Sequence, residues 1–117
     1  MIIISTPSRY RIKKKQIRQI MADLFMKYKL PDSIIVNVVF VGRRKMRETA
    51  RAYKNEDIAL PVLSFRYNET SPEKEPLLGE IVLCYPQVIL LAAERNRKVN
   101  DTVASLLEHG LQNLFKE

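Results

Sequence analysis

Residues 34–41 read Ile-Ile-Val-Asn-Val-Val-Phe-Val, and this apolar run decides the fold. Most of its side chains are β-branched, which favours an extended strand over a helix. Pro31 and Asp32 form a turn before the run, and Gly42 ends it. A short apolar run bounded in this way is typical of a buried central strand. The rest of the chain is therefore expected to be arranged around one sheet.

The segments on either side of this strand alternate between helical and extended patterns. Apolar residues recur every three or four positions over residues 13–28, and Met46, Ala50 and Tyr53 form a narrow apolar face on a second helix at 43–54. Further predicted elements are strands at 1–6, 62–67 and 79–84, a loop at 68–76, a helix from Pro86 to about residue 95, and a last helix with Asp101 as its N-cap. This order predicts an α+β fold, with a single mixed sheet of about four strands packed by about four helices.

The length and composition fit one small domain. With 117 residues and 46% apolar side chains, the chain is expected to form a single domain over residues 1–117. Its apolar stretches are too short to span a bilayer, and Met1–Ser5 lacks the basic flank of a signal peptide, so a cytoplasmic location is expected. Cys84 is the sole cysteine, which excludes an intramolecular disulfide, and it is expected as a buried side chain on a strand.

The positive charge is concentrated in the first half of the chain. Residues 1–54 hold 14 basic and 3 acidic side chains, a balance of +11, whereas residues 55–117 hold 6 and 10, a balance of −4. The two balances give the net charge of +7. This asymmetry favours a polyanionic partner for the first half, with nucleic acid ahead of an anionic membrane surface.

Four basic residues of the second helix share one side of it. Arg44, Arg47, Arg51 and Lys54 are spaced 3, 4 and 3 apart, which places them within a sector of roughly 80°. Like charges at this spacing repel weakly, and phosphates lying along them would make the arrangement favourable. These residues are called the basic ridge below. They predict contacts with a nucleic-acid backbone, and the alternative is an ordinary solvated helix face.

The only histidine lies on the last helix. His109 is turned away from the apolar stripe of that helix, and Asn113 projects from the same side four residues later. Two histidines at this spacing could share one zinc ion, but an amide oxygen is a much weaker ligand than an imidazole. No cysteine near His109 and no second histidine completes a site. From these residues alone, a solvated histidine and a metal ligand both remain open.

Four segments together resemble the bacterial YbeY family of rRNA maturation factors. They are Met46–Asp57, Val62–Phe65, Leu78–Leu83 and His109–Leu114. The resemblance implies a single-domain, zincin-like fold and a zinc-dependent endoribonuclease that acts in rRNA maturation and ribosome quality control. It also implies an active helix of the form His-Gly-x-x-His-x-x-Gly-x-Asp-His, with three histidines around the zinc.

Several positions depart from the implied pattern. His109 matches the first zinc ligand, but Asn113 stands where the second histidine is expected, and the third falls two residues beyond Glu117. Lys54 replaces an arginine that the family places near the RNA, which keeps the charge but loses bidentate phosphate recognition. Leu60 and Pro61 replace a Thr-Asp or Thr-Asn pair. By resemblance, the catalytic residues are His109 and Lys54, and the metal ligands are His109 and Asn113.

These observations lead to one expectation with two rivals. The chain is expected to bind ribosomal RNA or a ribosomal subunit through the basic ridge, with a lost or impaired metal-dependent endoribonuclease activity and weak or absent zinc. One rival is an active endoribonuclease whose metal is held by His109, Asn113 and an acid such as Glu117, or by ligands from a partner. The other is a non-catalytic module that binds ribosome-associated proteins or a small GTPase. None of these functions involves a membrane.

Overall fold

A computed structural model describes residues 1–66 and 77–115, and these residues form a mixed sheet with helices on both faces. The bounds in chain order are β1 Ile2–Ser5, α1 Lys14–Lys27, β2 Ile35–Val41, α2 Arg43–Lys54, β3 Val62–Arg66, β4 Leu77–Cys84, α3 Tyr85–Glu94 and α4 Val99–Phe115. The predicted α+β class is confirmed, as are the order of the elements and the mixed character of the sheet. Residue 67 and the predicted loop at 68–76 lie outside the described residues.

The apolar run at 34–41 forms an internal strand of the sheet. The strand order is β1-β2-β4-β3, in which β2 pairs in parallel with β1 and β4, and β3 pairs antiparallel with β4. Val38 lies opposite Ile4 on one side and Ile81 on the other. Neighbours on both edges satisfy the backbone of β2, and helices pack against both faces of the sheet, which explains why its sequence is almost entirely apolar.

One face of the sheet carries the larger part of the core. Alternate residues of β2 point to this face, and three helices cover it. The buried residues are Ile4, Val36, Val38, Phe40, Ile81 and Leu83 from the strands, and Ile17, Met21, Leu24, Phe25, Val88, Val103, Leu107, Leu111 and Leu114 from α1, α3 and α4. We call this the three-helix face.

Among the elements of residues 1–66 and 77–115, α2 is the one helix on the opposite face, which is called the α2 face. Its buried cluster is Val41, Met46, Ala50, Leu63, Val82 and Cys84. Cys84 is fully buried on β4, as predicted, and desolvation by burial raises the pKa of its thiol. Tyr53 departs from the sequence prediction, because 70% of it is exposed and only Met46 and Ala50 of α2 are buried. The apolar face of α2 is thus shorter than its spacing indicated.

Helix α4 begins earlier than the sequence predicted. The first bond comes from the Thr102 amide, which donates to the Lys98 carbonyl at 3.1 Å, so Asp101 lies in the first turn rather than at the N-cap. Its carboxylate is still favourable there, since it lies near the positive end of the helix dipole. Within the described ranges, α4 at 17 residues and the other helices are too short or too polar to cross a membrane.

Candidate functional site

Helix α4 brings His109 and Asn113 to the edge of the sheet formed by β3. Gly110 is buried, and a Cβ atom at this position would lie 2.8 Å from Cγ2 of Ile81, so only glycine allows this close approach of α4 to β4. His109 and Asn113 belong to the exposed side of the same helix. The glycine beside the histidine therefore has a structural role: it lets the helix lie close to the sheet.

His109 and Asn113 line one cavity together with Lys54, the last residue of α2. This cavity of about 390 Å³ is also lined by Val62, Leu63 and Ser64 of β3. We call it the histidine pocket. Helices α2 and α4 thus bring together the residues for which the sequence suggested catalysis or metal binding, and β3 completes the lining. Ser64 also lines the pocket but was not predicted as a site residue. Its position in the run Val62–Phe65, which carries the family resemblance, could have indicated it.

The donor atoms of the histidine pocket do not fit a zinc ion. His109 offers one imidazole, whereas Asn113 and Ser64 offer an amide and a hydroxyl, which are weak ligands for zinc. The Lys54 ammonium adds a positive charge to the same cavity, which disfavours a cation. Across residues 1–66 and 77–115, no group of three His, Cys, Asp or Glu side chains could hold a metal ion. The chemistry available in these residues is phosphate binding by Lys54 and proton transfer by His109.

The basic ridge is divided in the structure. Arg44, Arg47 and Arg51 line a shallow cavity of about 280 Å³ with Glu48, whereas Lys54 lines the histidine pocket. The Arg44 side chain is 96% exposed, with its Nε 3.7 Å from a Glu48 carboxylate oxygen. The ridge therefore presents cations both to open solvent and to the pocket.

Asp57 pairs with two arginines of the ridge. Its Oδ1 accepts a hydrogen bond from Nη2 of Arg51 at 2.8 Å and a longer one from Arg47 at 3.4 Å. The bond from Arg51 holds the pKa of the Asp57 carboxyl below its ordinary value, and the same bond raises the pKa of Arg51. Two of the predicted phosphate-binding cations thus have an internal partner. The sequence offered no direct signal for this pairing.

The end of α2 explains how Asp57 reaches the ridge. Asn55 adopts a left-handed conformation with φ of 55°, and the amide of Glu56 donates to the Ala50 carbonyl at 3.3 Å. This termination reverses the chain direction against the last turn of the helix. This turn brings Asp57 back within hydrogen-bonding distance of Arg47 and Arg51. The helix propensities of the residues do not by themselves predict the turn.

A second group of cations lies at the start of α2. Arg9, Arg43, Arg44 and Lys45 line a cavity of about 470 Å³ together with Tyr10 and other residues. Arg43 donates from Nε to the Gln87 side chain at 3.1 Å, and the Arg9 guanidinium lies 4.9 Å from the centre of the Tyr10 ring. The three consecutive basic residues 43–45 indicated this group of cations in the sequence, but only the tertiary fold brings Arg9 to them.

An open groove runs between α2 and a part of the sheet that no helix in the described part of the chain covers. We call this cavity of about 590 Å³ the sheet groove; its lining is Val39, Val41 and Val82 from the sheet, Lys45, Thr49 and Tyr53 from α2, and Ser64, Phe65, Arg66 and Glu80. The Tyr53 and Phe65 rings lie 4.4 Å apart between centroids. Ser64 lines both this groove and the histidine pocket, so the two cavities adjoin.

Comparisons with known proteins agree on one family. A protein-family model described as Endoribonuclease YbeY matches residues 4–115. Endoribonuclease YbeY of Chromobacterium violaceum is 40% identical over 80 residues, which cover 68% of this chain and 48% of that protein. The Thermodesulfovibrio yellowstonii protein of the same name is 30% identical over 106 residues, which cover 91% of this chain and 63% of the relative.

A solved structure supports the fold. The solution structure of TM1509 from Thermotoga maritima aligns with a TM-score of 0.64 at 22% identity and covers 100% of this chain and 73% of that protein. At this identity the likeness concerns the fold alone. The matched regions span between 48% and 63% of the length of the two relatives above. The fold and the family motifs are therefore shared over a part of those longer proteins.

Proposed function

The chain belongs to the endoribonuclease YbeY family, and from this premise we propose that it binds ribosomal RNA during rRNA maturation through the cations of α2, with a lost or impaired metal-dependent endoribonuclease activity. The observation that carries the proposal is the composition of the histidine pocket, where Asn113 accompanies His109 at the place of a second zinc-binding histidine. The pocket keeps one cation that suits phosphate, Lys54, but has a weak metal ligand where the family pattern implies a strong one.

The charge distribution supports the RNA-binding part. Arg44, Arg47 and Arg51 form one exposed group, and Lys54 extends the positive charge into the histidine pocket. Cations on one surface bind a phosphate backbone largely without regard to sequence, and they release counterions when they do so. A ribosomal RNA or a ribosomal subunit in the cytoplasm is the partner that this family membership and charge favour.

The test is a comparison of two triple variants. We expect the protein to bind an rRNA fragment at about 50 mM salt, with an affinity that falls steeply as salt rises. Replacing Arg44, Arg47 and Arg51 with alanine should lower this affinity and flatten the salt dependence by roughly one unit per lost phosphate contact. The matched control replaces Arg95, Arg97 and Lys98, which are exposed cations of the α3–α4 connection. Equal losses in both variants, or no binding by the natural sequence, would contradict the proposal.

The catalytic part is tested by metal content and by a restoring substitution. We expect the purified protein to carry far less than one equivalent of zinc and not to cleave RNA when zinc is added. Asn113→His should increase zinc uptake because it places a second imidazole four residues from His109. The control is the same substitution combined with His109→Ala, which should remove the gain.

An active enzyme with a remodelled metal site is the second candidate. Lys54, His109 and Asn113 do share one pocket, which is the observation in its favour. Stoichiometric metal, together with RNA cleavage that is abolished by His109→Ala, would select this candidate over the impaired one. The RNA-binding surface would be the same in both cases.

A further inference from the structure

The three parallel strands of the sheet end side by side, and the helices that follow them go to different faces. After β2 the chain enters α2 on the α2 face, whereas α1 and α3, which follow β1 and β4, pack on the three-helix face. The chain therefore leaves β2 in the opposite direction to both of its parallel neighbours. In sheets of parallel strands, the crevice that opens outside the carboxyl ends at such a point is a preferred place for ligands.

The cavity of about 470 Å³ at the start of α2 occupies this crevice, and we call it the strand-end cavity. Gly42 follows β2, Pro86 lies in the first turn of α3 after β4, and Tyr10 belongs to the connection after β1. Four of the eight lining residues are cations, and one, Glu48, is acidic. The cations are Arg9, Arg43, Arg44 and Lys45. An excess of positive charge around one cavity selects an anion.

The stability of the fold does not account for these cations. The first turn of α2 contains no acidic residue, and basic side chains there oppose the positive end of the helix dipole. Arg43 donates from Nε to the neutral Gln87 side chain at 3.1 Å, and Arg44 is 96% exposed with Glu48 at 3.7 Å. Across residues 1–66 and 77–115, the ion pairs do not include Arg9 or Arg43. A bound anion would offset the repulsion that remains.

Arg9 is held at the cavity by aromatic contacts. Its guanidinium lies 4.9 Å from the centre of the Tyr10 ring, and that ring lies 5.2 Å from the Tyr85 ring of α3. Gly42 makes room for this arrangement, because a Cβ atom there would lie 2.5 Å from Nη2 of Arg9 and 3.0 Å from the Tyr10 hydroxyl oxygen. A guanidinium fixed in this way loses little freedom on binding, and its planar donors match the oxygens of a phosphate group.

We propose that the strand-end cavity binds a terminal phosphate group, the phosphate monoester of a free nucleotide or of the 5′ end of an RNA strand. A phosphate monoester carries nearly two negative charges at neutral pH, whereas each phosphate within an RNA backbone carries one, so four cations around one cavity favour the terminal group. The site goes beyond the proposed contacts of the basic ridge with an RNA backbone. Arg44 belongs to both sets of cations, and Arg9 lies outside the ridge. Arg9 is therefore the residue that tests the site.

The first experiment titrates inorganic phosphate, adenosine 5′-monophosphate and adenosine into the protein while its amide signals are followed by NMR. We expect both phosphates to bind saturably and to shift the signals of residues 9–10 and 42–45, and adenosine to leave them unchanged. Arg9→Gln should weaken phosphate binding by about five- to fiftyfold. The matched control is Arg11→Gln, which alters an exposed arginine outside the cavity lining and should have little effect. Equal losses in both variants, or shifts confined to Lys54 and His109, would overturn the proposal.

Two RNA probes then distinguish the source of the phosphate. Both are the same strand of about twelve nucleotides, with a 5′-phosphate on one and a 5′-hydroxyl on the other. Tighter binding of the phosphorylated strand, lost in Arg9→Gln, would assign the site to RNA ends, whereas equal binding of both strands together with binding of adenosine 5′-monophosphate would assign it to a free nucleotide.

The natural sequence alone can overturn the site, even if a variant folds poorly. If inorganic phosphate and adenosine 5′-monophosphate do not bind saturably up to about 10 mM, and the two strands bind equally, the strand-end cavity is not a phosphate site. Binding of an rRNA fragment through the basic ridge would be unaffected by that result. The failure of this inference is therefore distinguishable from the failure of the proposed function.

Discussion

The two faces of the sheet differ in how completely helices cover them. The three-helix face buries fifteen residues under α1, α3 and α4, whereas the α2 face buries six under one helix. The cavities that adjoin α2 and the exposed Tyr53 lie on or beside the less covered face. Among the described residues, the buried apolar contacts are therefore concentrated on one side of the sheet.

The composition of α2 explains why its face stays open. Six of its twelve residues are Arg or Lys, and only Met46 and Ala50 are buried. A helix with so narrow an apolar stripe can cover only a narrow part of a sheet. Helix α4 instead buries six residues, including Leu107 and Leu111. Helix α2 thus combines a small contribution to the core with six basic side chains.

The largest expected effect is on the three-helix face. Leu107→Ala removes a fully buried side chain, and we expect the free energy of unfolding to fall by about 2–5 kcal/mol. The matched control is Leu90→Ala on α3, where 47% of the leucine is exposed, and its effect should stay within about 0.5 kcal/mol. Urea denaturation measures both values. Similar losses at the two positions would show that burial on this face does not dominate stability.

A smaller loss is expected where α4 meets β4. Gly110→Ala puts a methyl group 2.8 Å from Cγ2 of Ile81, and we expect this crowding to lower the free energy of unfolding by about 1–3 kcal/mol. The higher helix propensity of alanine offsets a part of that loss. Ser105→Ala introduces the same residue on the exposed side of the same helix, where it meets no close neighbour across the core, and should be nearly neutral. Thermal unfolding compares them. An unchanged or raised midpoint for Gly110→Ala would mean that the close approach is not required.

The sequence was sufficient to predict the order of the helices and strands and the class of the fold. Helix α2 was predicted with its observed bounds, and β2 was recognised as the central strand. Both predictions succeeded because they depend on the local pattern of apolar residues. Errors occurred where a boundary depends on tertiary contacts. Asp101 was taken for an N-cap, and Tyr53 was assigned to the buried stripe although α2 covers too little of the sheet to bury it.

For the site, the sequence indicated which residues take part but not which charges they pair with. Family motifs pointed to Lys54, His109 and Asn113, and the fold places all three in one pocket. The partners of the basic ridge were not visible in the sequence, because Asp57 returns to Arg51 only through the left-handed turn at Asn55. Helical spacing gives the positions of like charges, but it does not give the charges that other segments bring to them.

The basic ridge provides a further comparison, between the two arginines that pair with Asp57 and the more exposed Arg44. Asp57→Asn removes the carboxylate that holds Arg47 and Arg51, and we expect affinity for an rRNA fragment to rise by about two- to fivefold, since an exposed ion pair is worth only about 0.2–1 kcal/mol. Asp101→Asn on α4 is the control for the change in net charge. An equal rise in both variants would assign the effect to overall charge rather than to the ridge.

The smallest expected effect is on the titration of Asp57. Its pKa is lowered chiefly because Arg51 donates a hydrogen bond to the ionised form, so carbon-detected NMR should show a midpoint below the ordinary value of about 3.9. A group with a lowered pKa in the folded state stabilises the fold above its unfolded pKa, and this contribution is lost as the pH falls through the folded pKa. Arg51→Ala should return the midpoint towards the ordinary value, whereas Arg44→Ala should leave it nearly unchanged because Arg44 pairs with Glu48 instead. A midpoint unaffected by Arg51→Ala would mean that the ridge is not neutralised by Asp57, and both cations would then be as available to phosphate as Arg44.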